Sequence, residues 1–284
     1  MKQYTYTEKQ LPTPQNSKLL ALVGENKKVL EVGCAMGYQT RALHEIQCCQ
    51  VTGIEIDSNA AKNARPYCED LIVGDIETMD LNQLLHDKQF DVIIFADVLE
   101  HLKNPSAVLH KIRPFLREGA YVLASIPNIA HCSVTYEMAR GRFDYRPLGL
   151  LDDTHIRFFT RQTIYHTFEE AGYLIVALDR NCVSASETEF KTRAETDEDR
   201  HFLEYIKQRN PEAETYQFIV KAIPIDDINS HQSEFIVAKE QIQLLVEDAK
   251  LNEKRIGELE SNLAWITSRP SYRFLSALMR IIKR

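Results

Sequence analysis

From Val29 to Tyr38 the chain reads Val-Leu-Glu-Val-Gly-Cys-Ala-Met-Gly-Tyr. A buried-strand pattern runs into a turn that carries Gly33 and Gly37 and then opens a helix. No other stretch restricts the fold as much. The backbone must turn sharply at the strand end, and glycine does so with no Cβ in the way. The same turn leaves the first amides of the helix free to face a polar ligand. A dinucleotide cradle would carry G-x-G-x-x-G at this point. Here Cys34, Ala35 and Met36 separate the glycines, and Glu31 stands two residues before the first of them. A carboxylate there repels a pyrophosphate and attracts a cation, so the turn suits a positively charged ligand.

From Lys27 to Ile223 short β-branched runs alternate with helical patterns, as in βαβ units on a mostly parallel sheet. Seven strands are expected, at Lys28 to Val32, Gln50 to Glu55, Leu71 to Val73, Phe90 to Ala96, Gly119 to Ser125, Tyr173 to Leu178 and Thr215 to Ala222. Helices are expected at Gln39 to Ile46, Ser58 to Ala64, Leu81 to His86, Ser106 to Leu116 and Arg161 to Ala171, with another at Glu198 to Lys207. Asn104 before Pro105 is an N-cap followed by a residue whose missing amide is harmless in a first turn. Gly119 and Gly172 fall just beyond two of these helices, where a left-handed residue closes the last turn. The expected fold class is α/β, a seven-stranded, mostly parallel, Rossmann-like sheet with helices on both faces.

The remaining segments differ in pattern. Residues 1–26 form a leader with a short apolar helix around Leu19 to Val23, and residues 127–160 and 180–214 interrupt the domain at 27–223. From Phe235 the period changes: Phe235, Ala238, Ile242, Leu245, Ala249, Asn252, Ile256, Leu259, Leu263 and Ile266 recur at spacings of three and four. That is a heptad seam. Residues 224–268 are therefore expected to be a linker and a coiled-coil helix that joins copies of the chain, the alternative being a helix folded back on its own domain. Residues 269–284 form a basic amphipathic tail. Phe274, Leu275, Leu278, Ile281 and Ile282 share one face among Arg269, Arg273, Arg280, Lys283 and Arg284. Such a helix suits a membrane surface, a partner enzyme or the acidic body of a dimer.

Net charge is −7 although every charge after Glu260 is positive. An acidic body disfavours nucleic acid, whose phosphates demand a basic footprint. Apolar runs such as Val92 to Ala96 are far short of the roughly 20 residues that span a bilayer, and Met1 to Gln10 lacks a signal-peptide pattern. A cytoplasmic location is expected, with the tail bringing the chain to the inner face of the membrane. The six cysteines form no CxxC pair and have no metal-ligand spacing with the nine histidines, so neither disulfides nor a metal is expected.

Three acids stand at successive strand ends. Glu31 precedes the glycine turn, and Glu55, followed by Ile56, ends the second strand where a carboxylate accepts ribose hydroxyls. Asp75 follows the third strand, where its carboxylate and the amide of Ile76 can read an adenine amine and ring nitrogen. Ligands of open α/β sheets bind at these carboxyl ends.

These residues resemble the class I methyltransferases that use S-adenosylmethionine. The likeness rests on Glu31, Gly33 and Gly37, on Gly53 to Asp57 (GIEID), on Gly74 to Glu77 (GDIE) and on Phe90 to Leu102 (FDVIIFADVLEHL), and covers about residues 20–223. It implies that Gly33, Cys34 and Gly37 hold the methionine part of the cofactor, that Glu55 binds ribose, and that Asp75 binds the adenine amine. It also implies that Asp97 lies beside the sulfonium, with the 1–26 leader as a cofactor lid. One departure is Cys34-Ala35-Met36, where many members carry a further glycine. Ser125 to Asn128, Arg140 to Phe143 and Leu150 to Thr160 (LLDDTHIRFFT) look like methyltransferases encoded with bacterial surface-polysaccharide and glycosyltransferase genes. The acceptor implied is a sugar hydroxyl or amine of a glycan precursor.

With an activated methyl donor the protein's task is mainly positioning. For a hydroxyl acceptor a base helps, and His155, flanked by Asp152, Asp153 and Arg157, is the first candidate, with His101 the second. An amine acceptor requires neither. Arg140, Arg142 and Arg157 are candidates for clamping an anionic acceptor, and Phe143, Tyr145, Phe158 and Phe159 for walling the pocket. Competing readings are a nicotinamide-dependent oxidoreductase, disfavoured by the missing third glycine and by Glu31, and a scaffold that acts through its coiled coil and tail. Nucleic-acid methylation is set back further, because Asp97-Val98-Leu99-Glu100 stands where an Asn-Pro-Pro-Tyr or Asp-Pro-Pro-Tyr motif would be.

Overall fold

A computed structural model describes residues 14–192 and 196–225. The heptad positions at 235–266, the tail at 269–284 and the first thirteen residues of the leader lie outside the described residues.

The strands are β1 (Lys28–Val32), β2 (Gln50–Glu55), β3 (Asp70–Val73), β4 (Phe90–Ala96), β5 (Leu116–Pro127), β6 (Tyr173–Cys182) and β7 (Thr215–Pro224). They form one seven-stranded sheet in the order β3-β2-β1-β4-β5-β7-β6. Pairing is parallel from β3 to β5, whereas β7 lies antiparallel to both β5 and β6. The sheet is therefore mixed through a single reversed strand. The order turns back between β1 and β4, the crevice where open α/β sheets bind ligands.

Helices cover both faces. Strand residues alternate sides, so Leu30, Val32, Ile93, Phe95, Val122 and Phe218 pack with Leu81, Leu109, Ile164 and Phe168. These four belong to α4 (Leu81–Leu85), α5 (Pro105–Lys111) and α7 (Arg161–Glu170). On the other face Val29, Val51, Val92, Ile94 and Leu123 pack with Leu19, Leu20, Val23, Ala42 and Leu43, from α1 (Pro14–Val23) and α2 (Tyr38–Glu45). The helix of the leader is thus part of the core. Helix α3 (Ser58–Ala64) follows β2 and is capped by Asp57, whose side chain accepts the amides of Asn59 and Ala60.

Two expectations are corrected. The helix expected at Ser106 to Leu116 stops at Lys111, followed by a single 3₁₀ turn at Arg113–Phe115, and β5 already begins at Leu116. Pro114 accounts for this, since its ring and missing amide end an α-helix. Gly119 therefore closes no helix. It sits inside β5 at φ +74°, where the register against β4 shifts. Gly172, at φ +79° just past α7, does terminate its helix. An unexpected helix, α6 (Cys132–Ala139), lies in the 127–160 segment. With α8 (Asp197–Arg209) it forms a small separate core of Cys132, Tyr136, Leu203, Ile206 and Ala213. The two interrupting segments thus support each other above the carboxyl end of β5.

Candidate active site

The turn after β1 is held open by its glycines. Gly33 has φ +73° and Gly37 φ +82°, and a Cβ on Gly33 would meet Val98 Cγ2 at 2.5 Å. The turn is tied to the next strand, because the amides of Gly33 and Cys34 both donate to the Ile54 carbonyl, at 2.8 and 3.2 Å. Ala35, between the two glycines, takes φ +45°. Its amide donates to Glu55 Oε2 at 2.7 Å, and that of Asp57 to Oε1 at 2.8 Å. Glu55 thus shapes the loop in front of it while standing at the rim where a ribose would lie. Ile56 beside it is 52% exposed.

Glu31 lies beneath this turn, fully buried, and accepts a hydrogen bond from Thr40 Oγ1 at 2.7 Å. Burial pushes its carboxyl up to about 7, and the neighbouring Glu55 charge adds to the rise. A buried acid with so little compensation is a receptor for positive charge. At the end of β3, Asp75 Oδ1 accepts the Glu77 amide at 2.9 Å, and the side chain of Ile76 is buried. Along the rim the order is Asp75, Glu55, Glu31 with the glycine turn, then Asp97, because β3, β2, β1 and β4 are neighbours. The cradle closed to Cβ atoms and this row of acids fit an adenosine bearing a cationic group.

Asp97 follows β4 in a left-handed conformation, φ +53°, unusual for a residue with a side chain. Its amide donates to the carbonyl and to Oγ of Ser125, both at 3.1 Å. Gln217, on β7, donates through Nε2 to Asp97 Oδ1, and accepts at Oε1 from Asn181 Nδ2 at 2.9 Å. Asp97 is solvent-accessible but its carboxyl is hemmed in by protein, which pushes it up to about 6 against these hydrogen bonds.

Beyond Asp97 a buried polar cluster appears. The strap at 150–159 is fastened to the turn after β4, since the amides of Ile156 and Arg157 both donate to the Glu100 carbonyl at 3.0 Å. It brings His155 to His101, with ring centroids 4.9 Å apart in an edge-to-face arrangement. The two candidate bases therefore belong to one site. His101 Nδ1 pairs with the Thr154 carbonyl at 3.1 Å and His155 Nδ1 with the Leu150 carbonyl at 3.3 Å. A carbonyl only accepts, so each Nδ1 carries the proton and each Nε2 keeps its lone pair. Burial holds both imidazoles below the usual histidine range. Asp152, one of the acids flanking His155, accepts from Thr154, at the amide (2.8 Å) and at Oγ1 (2.6 Å). Glu100 also faces His155, with Oε1 3.9 Å from Nε2. It is 1% exposed, and burial, reinforced by Asp97 and Asp152, drives its carboxyl well above the usual range.

The three arginines do not form a clamp. Arg140 pairs with Asp199 and lies over the Tyr136 ring, Arg142 pairs with Glu137 at 2.5 Å, and Arg157 donates to the Lys103 carbonyl. Phe159 is a core residue, whereas Phe143 and Tyr145 are exposed and touch edge to face. Sequence reasoning missed Glu100 and Gln217. The juxtaposition of Glu100 with His101 was visible in the motif itself. Gln217 gave no signal, because only the antiparallel pairing of β7 with β5 carries it to Asp97.

A family model described as a methyltransferase domain matches residues 8–178. The ubiquinone biosynthesis O-methyltransferase of Shewanella halifaxensis is 29% identical over 105 residues, 36% of this chain and 44% of that protein. The protein of the same name from Acinetobacter baylyi is 23% identical over 150 residues, 51% of this chain and 63% of that one. The chain thus spans less than two thirds of the length of these relatives. Among solved structures, a SAM-dependent methyltransferase from Archaeoglobus fulgidus superposes with a TM-score of 0.52 at 17% identity, over 76% of this chain and 96% of that one. The CcbJ methyltransferase from Streptomyces caelestis gives 0.52 at 13%, over 78% and 94%.

Proposed function

Since the chain belongs to the methyltransferase-domain family, we propose that it uses S-adenosylmethionine to methylate a hydroxyl of a small acceptor delivered to His101 and His155 beside Asp97. The observation that carries this reading is the pair of neutral imidazoles whose Nδ1 atoms are tied to carbonyls. Each keeps an Nε2 lone pair, and a base of this kind is worth about 10² to 10⁴ in rate for a hydroxyl. His155 is the first base and His101 the alternative. When bound, the cofactor supplies a methyl group already activated by a positively charged sulfur. The residues around it hold the donor, line up the acceptor oxygen and keep out water.

We read the acceptor as a sugar hydroxyl of a surface-glycan precursor. The sequence patterns at 125–160 support the glycan, whereas the relatives named ubiquinone biosynthesis O-methyltransferases support oxygen as the acceptor atom and say nothing of a sugar. A lipid-borne precursor would also give the tail at 269–284 a membrane surface to dock on, and the heptads at 235–266 a reason to pair chains. The test is incubation with labelled cofactor and a panel of nucleotide sugars, lipid-linked saccharides, phenols and amines, read by mass spectrometry. Gain of a methyl on sugar oxygens is expected. Methylation confined to amines would overturn the hydroxyl reading, and methylation confined to phenols the glycan one.

Glu31 gives a separate prediction. Its carboxyl titrates at about 7, so at pH 6 it is mostly protonated, and a cationic ligand at the glycine turn must expel that proton. Cofactor affinity should therefore rise with pH from about 5 to 7. Calorimetry in buffers of different ionisation heat should detect proton release at pH 6, and Glu31→Gln should abolish it. An equal proton release from the Gln variant would show that Glu31 is not the group involved.

A further inference from the structure

We propose that Glu100, His101 and His155 hold a divalent transition-metal ion, through one carboxylate oxygen and two imidazole nitrogens, and that the ion's open positions receive the acceptor oxygen. One donor atom from each residue lies within 4.8 Å of the other two. Bonds of about 2.0–2.2 Å to a shared ion set opposed ligands about 4 Å apart, a spacing the cluster already has between His155 Nε2 and Glu100 Oε1, at 3.9 Å. The set resembles neither a closed structural zinc site nor an all-oxygen magnesium site. Two imidazoles and one carboxylate, with positions left over, suit zinc, manganese, cobalt or iron.

Three further observations point to an ion. First, Glu100 is 1% exposed, yet among the described residues its Oε2 has no hydrogen-bond partner. A buried carboxyl oxygen left so is rare unless it serves a ligand. Second, both histidines are tied by Nδ1 to backbone carbonyls. That is the outer support found around metal-binding histidines, fixing the ring and turning Nε2 toward the ion. Third, the strap that carries His155 is hydrogen-bonded through two amides to the carbonyl of Glu100 itself. The ligands from the two chain segments are therefore held together before any ion arrives.

The inference deepens the hydroxyl reading and, for the ion's role, rests on it. An acceptor hydroxyl bound to the ion becomes more acidic, and its proton passes to the Asp97 carboxylate. The oxygen lone pair forms the bond to the methyl carbon as the carbon–sulfur bond breaks, and that electron pair stays on sulfur. The ion keeps its charge, and no oxidant or reductant is needed. His155 and His101 then act as ligands, and Asp97 takes the base's role in their place.

The experiment uses the full chain freed of metal by chelator and dialysis. Cobalt(II) is added and followed by its visible spectrum, zinc by calorimetry, with magnesium as the comparison ion. Glu100→Gln and His155→Asn are measured alongside, and S-adenosylmethionine affinity reports that each variant is folded. The wild type should take up a stoichiometric ion and show imidazole-ligated cobalt bands. Either variant should weaken uptake by about 100-fold or more while cofactor affinity stays within about twofold. Absence of cobalt bands and zinc heat in a wild type that binds cofactor overturns the site, as does equal uptake by both variants. If an acceptor is methylated at full rate in chelator, the metal proposal falls and the hydroxyl reading stands. If the ion binds and no hydroxyl in the panel is methylated, the site stands and the acceptor reading falls.

Discussion

Replacing Gly37 by alanine is expected to lower the free energy of unfolding by about 3 kcal/mol, which for a chain of this size is about 10 °C in melting temperature. Gly37 adopts φ +82°, and a Cβ built there would stand 2.5 Å from the Ala64 Cα and 2.9 Å from its Cβ. The first fact costs about 1–2 kcal/mol for a residue with a side chain. The second costs about 1–3 kcal/mol more, because the obstacle includes the backbone of α3, which cannot swing aside like a side chain. Gly141→Ala is the matched control: its φ is +74° but nothing lies within 4 Å of the added carbon. That variant should lose only the conformational part, about 1 kcal/mol. Chemical denaturation of both variants checks the pair. Equal losses would mean that close packing between the cofactor turn and α3 contributes nothing.

The second large effect falls on cofactor binding. Glu55→Ala should weaken S-adenosylmethionine binding by about 10² to 10³-fold, because charge-assisted hydrogen bonds are worth about 1.5–3 kcal/mol each and a carboxylate facing a ribose makes two. The variant also releases the amides of Ala35 and Asp57, both now held by this carboxylate at 2.7 and 2.8 Å. The loop after β1 loses its fastening at the same time. Glu55→Gln keeps an oxygen acceptor and should fall between the two. Titration with the cofactor and with its demethylated product, next to an unfolding curve, separates loss of affinity from loss of fold. An alanine variant that binds within about threefold of wild type would contradict the assignment of this acid to the ribose, given the cost of two lost charged contacts.

The elements proposed to hold the donor were legible in the sequence because each of their parts is local. A strand, a glycine turn and an acid at the next strand end are short patterns, and parallel neighbours bring strand ends into one row without help from distant residues. The bounds of β1, β2 and β4 were accordingly read as they stand. The acceptor half was not legible in this way. Its cluster joins Glu100 and His101, next to each other after β4, to His155 on a strap much farther along the chain, and spacing carries no record of that meeting. Read singly, the two histidines looked like rivals for one role, whereas their rings are in contact. The arginines looked like an anion clamp because their charge was visible and their partners were not. Asp199 reaches Arg140 only after α6 and α8 have packed, and Glu137 reaches Arg142 once α6 has formed. Helix α6 itself was overlooked inside a segment that lacked the strand–helix alternation around it.

The reversed strand has a consequence for how this enzyme can diversify. Because β7 runs against its neighbours, its beginning rather than its end reaches the working rim, and Gln217 there steers Asp97. The residues leading into β7 come from α8 and the turn after it, so changes of length in that stretch are transmitted straight to Asp97, the carboxylate proposed to lie beside the methyl donor. The opposite edge of the sheet, proposed to read the donor, pairs in parallel and has no such lead-in. New acceptors can therefore be selected by remodelling 196–214 while the nucleoside half stays untouched.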